Sequence, residues 1–146
     1  MDDPMRSIHV HTAAFPTAPE GDLEFCNGQP GSAFVEWLAQ QLAAQGMAAG
    51  KAIQEDYGWG CWLDQDGCSI WVCVSYVGGD GADADADADA NPASEAEWVV
   101  SVAHDFPFFA FRQWFRRRAG AAAVARVADI VRAALAARDD VRTSAG

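Results

Sequence analysis

Two histidines, His9 and His11, stand at i and i+2 in the stretch Ser7-Ile8-His9-Val10-His11, so on a strand they share one face. That spacing offers two imidazoles to a metal, with His104 or Cys73 as a third ligand if the fold brings it near. The ordinary alternative is a pair of histidines on a solvent-facing strand surface, and no metal or other cofactor is expected. Glu55 and Asp56 are adjacent acids, but neighbours on an extended strand point to opposite faces, which is poor geometry for paired acid and base work. Asp56 is better explained as a residue that caps or pins the turn entering the next strand. No serine or cysteine has a partner base visible in the sequence, so no nucleophile is nominated. Glycine-rich phosphate loops, Gly-x-Ser-x-Gly, Cys-x-x-Cys and His-Glu-x-x-His are all missing from the sequence. The chain therefore reads as a non-enzymatic protein.

The stretch that must position any site runs from Gln54 to Gly78, where two β-branched and aromatic runs flank Asp66-Gly67. Glycine accepts the positive φ of a tight primed turn, so this dipeptide predicts a β-hairpin. With Asp66 and Gly67 as the central turn residues, Gln65 faces Cys68, Leu63 faces Ile70, Cys61 faces Val72, Trp59 faces Val74 and Tyr57 faces Tyr76. Alternation then puts Trp62 beside Trp71, Gly60 beside Cys73 and Gly58 beside Ser75 on the opposite face. One face is core; the other carries a tryptophan pair next to a glycine notch. Trp62, Trp71, Gly58 and Gly60 are the candidate partner-binding residues, because rigid aromatics bury much area at little entropic cost. The alternative is that helices lie on that face and both tryptophans are core.

At 146 residues, 51% of them hydrophobic, the chain suits one domain with a real core, 1–146. Its net charge of −11 argues against nucleic acid as the main partner. From Phe108 onward eight arginines meet Asp129, Asp139 and Asp140, a local balance of +5, whereas the earlier part carries −16. The Arg116-Arg117-Arg118 cluster follows aromatic residues and could bind phosphate or nucleic acid, but pairing with the acidic part, or staying solvated, explains it better. No apolar run reaches the roughly 20 residues of a membrane span, and the first residues lack the pattern of a secretory signal. The expected compartment is the cytoplasm, with no membrane partner. None of Cys61, Cys68 and Cys73 faces another across the hairpin, so these and Cys26 are expected as reduced thiols behaving as small hydrophobes.

In chain order, Ser7 to Phe15 alternates as a strand, with Ile8 and Val10 opposite His9 and His11. Pro16 to Pro30 reads as a loop. Phe34, Trp37, Leu38 and Leu42 recur at helical spacing, predicting a helix over Ala33 to Gln45 with Ser32 as N-cap and Gly46 as its left-handed terminator. The Ala-Asp run after the hairpin cannot repay its ordering entropy, so 79–95 is expected to be an acidic flexible loop rather than a calcium site. Glu97 to Ala103 is a strand with Trp98, Val100 and Val102 on one side. Phe108, Phe111 and Phe115 suggest a short helix, and Gly120 separates it from a final helix, Ala121 to Arg138, striped by Val124, Val127, Val131 and Leu135. The order β-α-β-β-β-α predicts an α+β fold, an antiparallel sheet with helices packed mainly on one face.

Glu55-Asp56-Tyr57-Gly58-Trp59 resembles a motif, acidic-Asp-aromatic-Gly-Trp, that opens the central hairpin of small bacterial α+β proteins of uncharacterised function. The resemblance spans Ser7 to Gly79. It implies a protein similar in size and acidity to immunity or inhibitor proteins that neutralise a protein partner, and it brings no catalytic residues. The leading functional expectation is thus a protein-binding protein acting through an acidic surface and an aromatic sheet face. The alternatives are a small-ligand or metal-binding domain built on His9, His11 and the tryptophan notch, and a structural module whose Phe108 to Phe115 segment buries its aromatics across a homodimer interface.

Overall fold

Asp66 and Gly67 both take positive φ, 54° and 78°, which closes a primed two-residue turn between β3 (Gly58–Gln65) and β4 (Cys68–Gly79). The computed structural model describes residues 5–17, 30–79, 95–104 and 116–145. Its remaining elements are β1 (Met5–Thr12), α1 (Ser32–Ala44), β2 (Ile53–Glu55), β5 (Ala96–His104), α2 (Arg116–Ala136) and β6 (Val141–Ala145). The strands form one sheet in the order β2-β3-β4-β5-β1-β6, with every neighbouring pair antiparallel. The α+β class and the antiparallel sheet follow as expected from the alternating pattern.

The hairpin register matches the expected one from Gln65↔Cys68 through Leu63↔Ile70 and Cys61↔Val72 to Trp59↔Val74, with Trp62↔Trp71 and Gly60↔Cys73 between. Tyr57 departs from it. Ile53–Glu55 folds back on Gly58–Gly60, so Asp56 and Tyr57 are the turn of a second two-residue hairpin and Tyr57 does not face Tyr76. An isolated bridge, Ala49↔Leu63, and the bond from the Gly50 N–H to the Trp62 carbonyl at 2.7 Å continue this edge.

Both helices pack on the face made by Ile8, Val10, Cys61, Leu63, Ile70, Val72, Val74, Trp98, Val100 and Val102. From α1 come Phe34, Val35, Leu38 and Leu42, and from α2 come Val124, Val127, Val131 and Leu135, all buried. Each such side chain contributes about 1.5–3 kcal/mol relative to exposure. An aromatic chain crosses the core: Phe15 stacks on Phe34 at 4.1 Å, Phe34 meets the edge of Trp98 at 5.4 Å, and Trp98 meets Tyr76 at 5.3 Å.

The helix ends show what local chemistry decides. Gly46, at φ 83°, closes α1 as the spacing predicts, with its N–H donating to the Ala43 carbonyl and that of Met47 to Leu42. At the other end Gly31, not Ser32, is the N-cap, and no side chain caps the helix. Gly120 lies inside α2 rather than between two helices, because a side chain there would collide with the His104 imidazole. A close approach, not a chain break, is what this glycine serves. The Phe108 to Phe115 segment, Cys26 and the Ala-Asp run lie outside the described residues, whereas Gly79 belongs to β4 and pairs with Ala96.

The turn after α2 is tied down by charge and aromatic packing. Arg138 donates through Nε and Nη2 to the Asp140 carboxylate, both at 2.8 Å, and its guanidinium lies over Phe15 and Trp37 at 5.2 and 4.9 Å. The pairing holds the Asp140 carboxyl below the usual carboxylate range. Thr12, fully buried, donates to the Asp140 carbonyl at 2.7 Å and accepts from the Ala14 N–H at 3.0 Å. This one hydroxyl connects β1 to the turn that launches β6. Thr12→Val keeps the shape but leaves both backbone groups unpaired, so it should lower stability by about 1–3 kcal/mol, read from the urea midpoint at constant slope, whereas Thr12→Ser, which keeps the hydroxyl, should retain most of the wild-type stability.

Candidate functional site

Six strands offer two faces, and among the described residues α1 and α2 cover only one. On the other, Trp62 and Trp71 stand side by side, ring centroids 4.8 Å apart and tilted by 43°. Alternation places them there from opposite hairpin strands at directly paired positions. Trp62 is 40% exposed and Trp71 half-buried.

The glycine notch beside them is not an empty space. Gly60 sits diagonally across from Trp71, and the indole lies over it so closely that a methyl at Gly60 would collide with the ring. Gly58 has a different role: a side chain there would run into the Val74 carbonyl, so bare backbone is needed for the strands to approach. The four candidate residues therefore divide into two aromatic walls and two sites of close approach.

Sequence reasoning missed two members of this corner. The turn between β2 and β3 carries Tyr57, 54% exposed, onto the open face, and Glu55 ends β2 on the same side. With Trp62, Trp71, Ala103 and His104 they line a cleft of about 230 Å³. Burial against the corner lifts the Tyr57 hydroxyl above its ordinary value, while the Trp71 indole, hydrogen-bonded to it, pulls the other way. The missing signal was the fold-back of Ile53–Glu55, three residues too short and too polar for strand periodicity to register.

The neighbouring thiols are inert by environment. Cys61, on the core side, is pushed up to about 11 by burial, and Cys73, under the corner, is also raised by burial despite the opposing contact with the Ser75 hydroxyl. Neither forms a disulfide. Such thiols stay protonated at neutral pH.

The histidines do not come together. His9 and His11 lie on the open face of β1, opposite Val99 and Glu97, and His9 approaches the Glu97 carboxylate at 3.8 Å. His104 stands five residues further along β5 than Val99, about 16 Å away at strand rise, and packs against Gly120 on the helix side. His104, one of the two third ligands considered for His9 and His11, is thereby misplaced, and among the described residues no three His, Cys, Asp or Glu side chains, Cys73 included, are grouped to hold a metal. Near His11, Arg142 of β6 donates from Nε to both Glu95 oxygens at 3.1 Å, which lowers the Glu95 carboxyl. Arg126 reaches Asp66 at 3.5 Å, so two C-terminal arginines do lie against acids of the earlier part. Arg116, Arg117 and Arg118 open α2.

A second concavity, about 790 Å³, runs between α1 and α2; alanines and Ile130 line it together with Gln41, Gln45, Arg126 and Asp129. It holds no aromatic ring, whereas the aromatic corner sets three rings around a carboxylate. No described helix is long and apolar enough to cross a membrane. The fold and site define an α+β protein with a two-helix layer on one side of its sheet and an aromatic corner on the other. The chain matches no protein-family model, no curated protein and no solved structure.

Two outcomes check this geometry. Gly60→Ala should displace the Trp71 ring, shift its indole N–H resonance and lower stability by about 1–3 kcal/mol. For Cys61, an unfolded chain releases the thiol proton near 9.0 while the folded one holds it to about 11. Stability should fall as pH rises through that interval, because the unfolded state then binds fewer protons. Cys61→Ala should flatten that decline in a series of urea melts.

Proposed function

We propose that this chain is a non-enzymatic protein-binding protein of the inhibitor or immunity type, which holds a protein partner against its acidic surface and the Trp62–Trp71 corner. The observation that carries this reading is the exposure of Trp62 and Tyr57 around the half-buried Trp71, on a sheet face that no described helix covers. Aromatics so placed give most binding energy for least ordering cost, and exposed apolar groups backed by a rigid sheet are typical anchors. The net charge of −11 supports electrostatic steering toward a basic partner and disfavours nucleic acid. Thiols held protonated by burial are poor nucleophiles, in keeping with a binding rather than a catalytic role. The cytoplasm, where thiols stay reduced, is the compartment this reading implies.

The test compares immobilised wild-type protein with a Tyr57→Ser/Trp62→Ser variant in lysate at low salt. Wild type should retain a defined protein that the variant loses and that moderate salt releases, since exposed charge pairs are screened over about 8 Å at physiological ionic strength. Equal retention by both forms, or none by wild type, overturns the proposal.

A further inference from the structure

We infer that the cleft between Tyr57, Trp62 and Trp71 receives the guanidinium group of an arginine side chain presented by the protein partner; this rests on the reading above and names the chemistry of its central contact. Three aromatic rings border the cleft, and its two indoles meet at 43° rather than lying in one plane, so they form a re-entrant corner and not a flat platform. The negative face of an indole attracts a cation held within about 6 Å of its centroid. Glu55 supplies a carboxylate at the border of the same cleft, and no lysine or arginine lines it. No described residue forms an ion pair with Glu55, and the field of its charge reaches both Tyr57 and Cys73.

An anion finds Glu55 and the adjacent Asp56 opposed to it. A sugar could stack on indole, but its ring of hydroxyls needs several donors and acceptors, and this cleft provides one carboxylate, one phenol and His104, whose imidazole packs against Gly120. A planar cation satisfies both parts at once: its flat face lies on an indole while its N–H fork meets the carboxylate. The molecule itself uses this arrangement elsewhere, where the Arg138 guanidinium lies over Phe15 and Trp37 while binding Asp140. The corner reproduces the aromatic and acidic halves of that contact without an arginine of its own in the cleft.

The experiment follows the Trp62 and Trp71 indole N–H resonances of the intact protein during titration with amide-capped N-acetylarginine. The expected result is saturable shifts at both indoles, with the capped citrulline analogue silent and capped lysine weaker by several-fold, since an ammonium cannot both stack and fork. Glu55→Gln, an exposed and nearly isosteric change, should weaken arginine binding about 10-fold, and Trp62→Ala should do so by a similar factor, as fits a desolvated cation–aromatic contact. Free L-arginine should bind more weakly than the capped form, because its own carboxylate meets Glu55 and Asp56; equal or tighter binding would point to a free amino acid as ligand and overturn the partner assignment. Equal shifts with citrulline, stronger shifts with methyl glucoside, no shift with arginine, or indifference to Glu55→Gln would each overturn the guanidinium assignment. A partner captured equally by wild type and Glu55→Gln, yet lost from the Tyr57→Ser/Trp62→Ser variant, overturns this inference while leaving the protein-binding reading intact.

Discussion

Two helices can seal only one side of a six-stranded sheet, and the parity of every strand must agree about which side that is. The Asp66–Gly67 turn sets this agreement for the central hairpin. Its two positive φ values close the loop in two residues, and each pair from Gln65↔Cys68 to Trp59↔Val74 then follows without freedom to slip. A slip of one residue would send Leu63, Cys61 and Ile70 to the open face and bring Trp62 and Trp71 under the helices. The core and the aromatic corner are thus two results of one constraint.

Much of this was legible in the residue pattern. Phe34, Leu38 and Leu42, and Val124 to Leu135, are striped at helical period, and Trp98, Val100 and Val102 alternate on β5; these positions bury most and their types admit few other uses. Parity alone put Trp62 and Trp71 together on the face opposite Cys61 and Leu63; that this face is the open one followed only from the placement of α1 and α2 on the other. Two short strands did not show themselves. Among the described side chains of β6 only Val141 is a buried hydrophobic, and the strand is held by pairing with β1 and by the Thr12 bond to Asp140, neither of which leaves a local signature. β2 has no period to detect, and its fold-back moved Tyr57 out of the core register and onto the rim of the cleft.

Gly120 and Ser32 failed for a related reason. A glycine in a helical run reads as a break, and a serine before one reads as a cap, because local chemistry favours both. Tertiary neighbours overrode these preferences: His104 needs the space at Gly120, and the chain entering α1 takes a φ of 138° at Gly31 that only glycine accepts easily. The candidate site was half readable on the same terms. Its walls came from strand parity, while its acidic and phenolic edge came from a turn defined only once β2 paired with β3.

The Trp71 indole rests in a seat left by a missing side chain at Gly60, and that has a kinetic and entropic consequence. A ring already immobilised in the unbound protein has little rotamer freedom left to surrender when something arrives, so a larger share of each contact survives as affinity. Association then requires no slow rearrangement of the wall. Tyr57, exposed on its two-residue turn, is by contrast a position where a substitution would change the rim of the cleft without disturbing the sheet beneath.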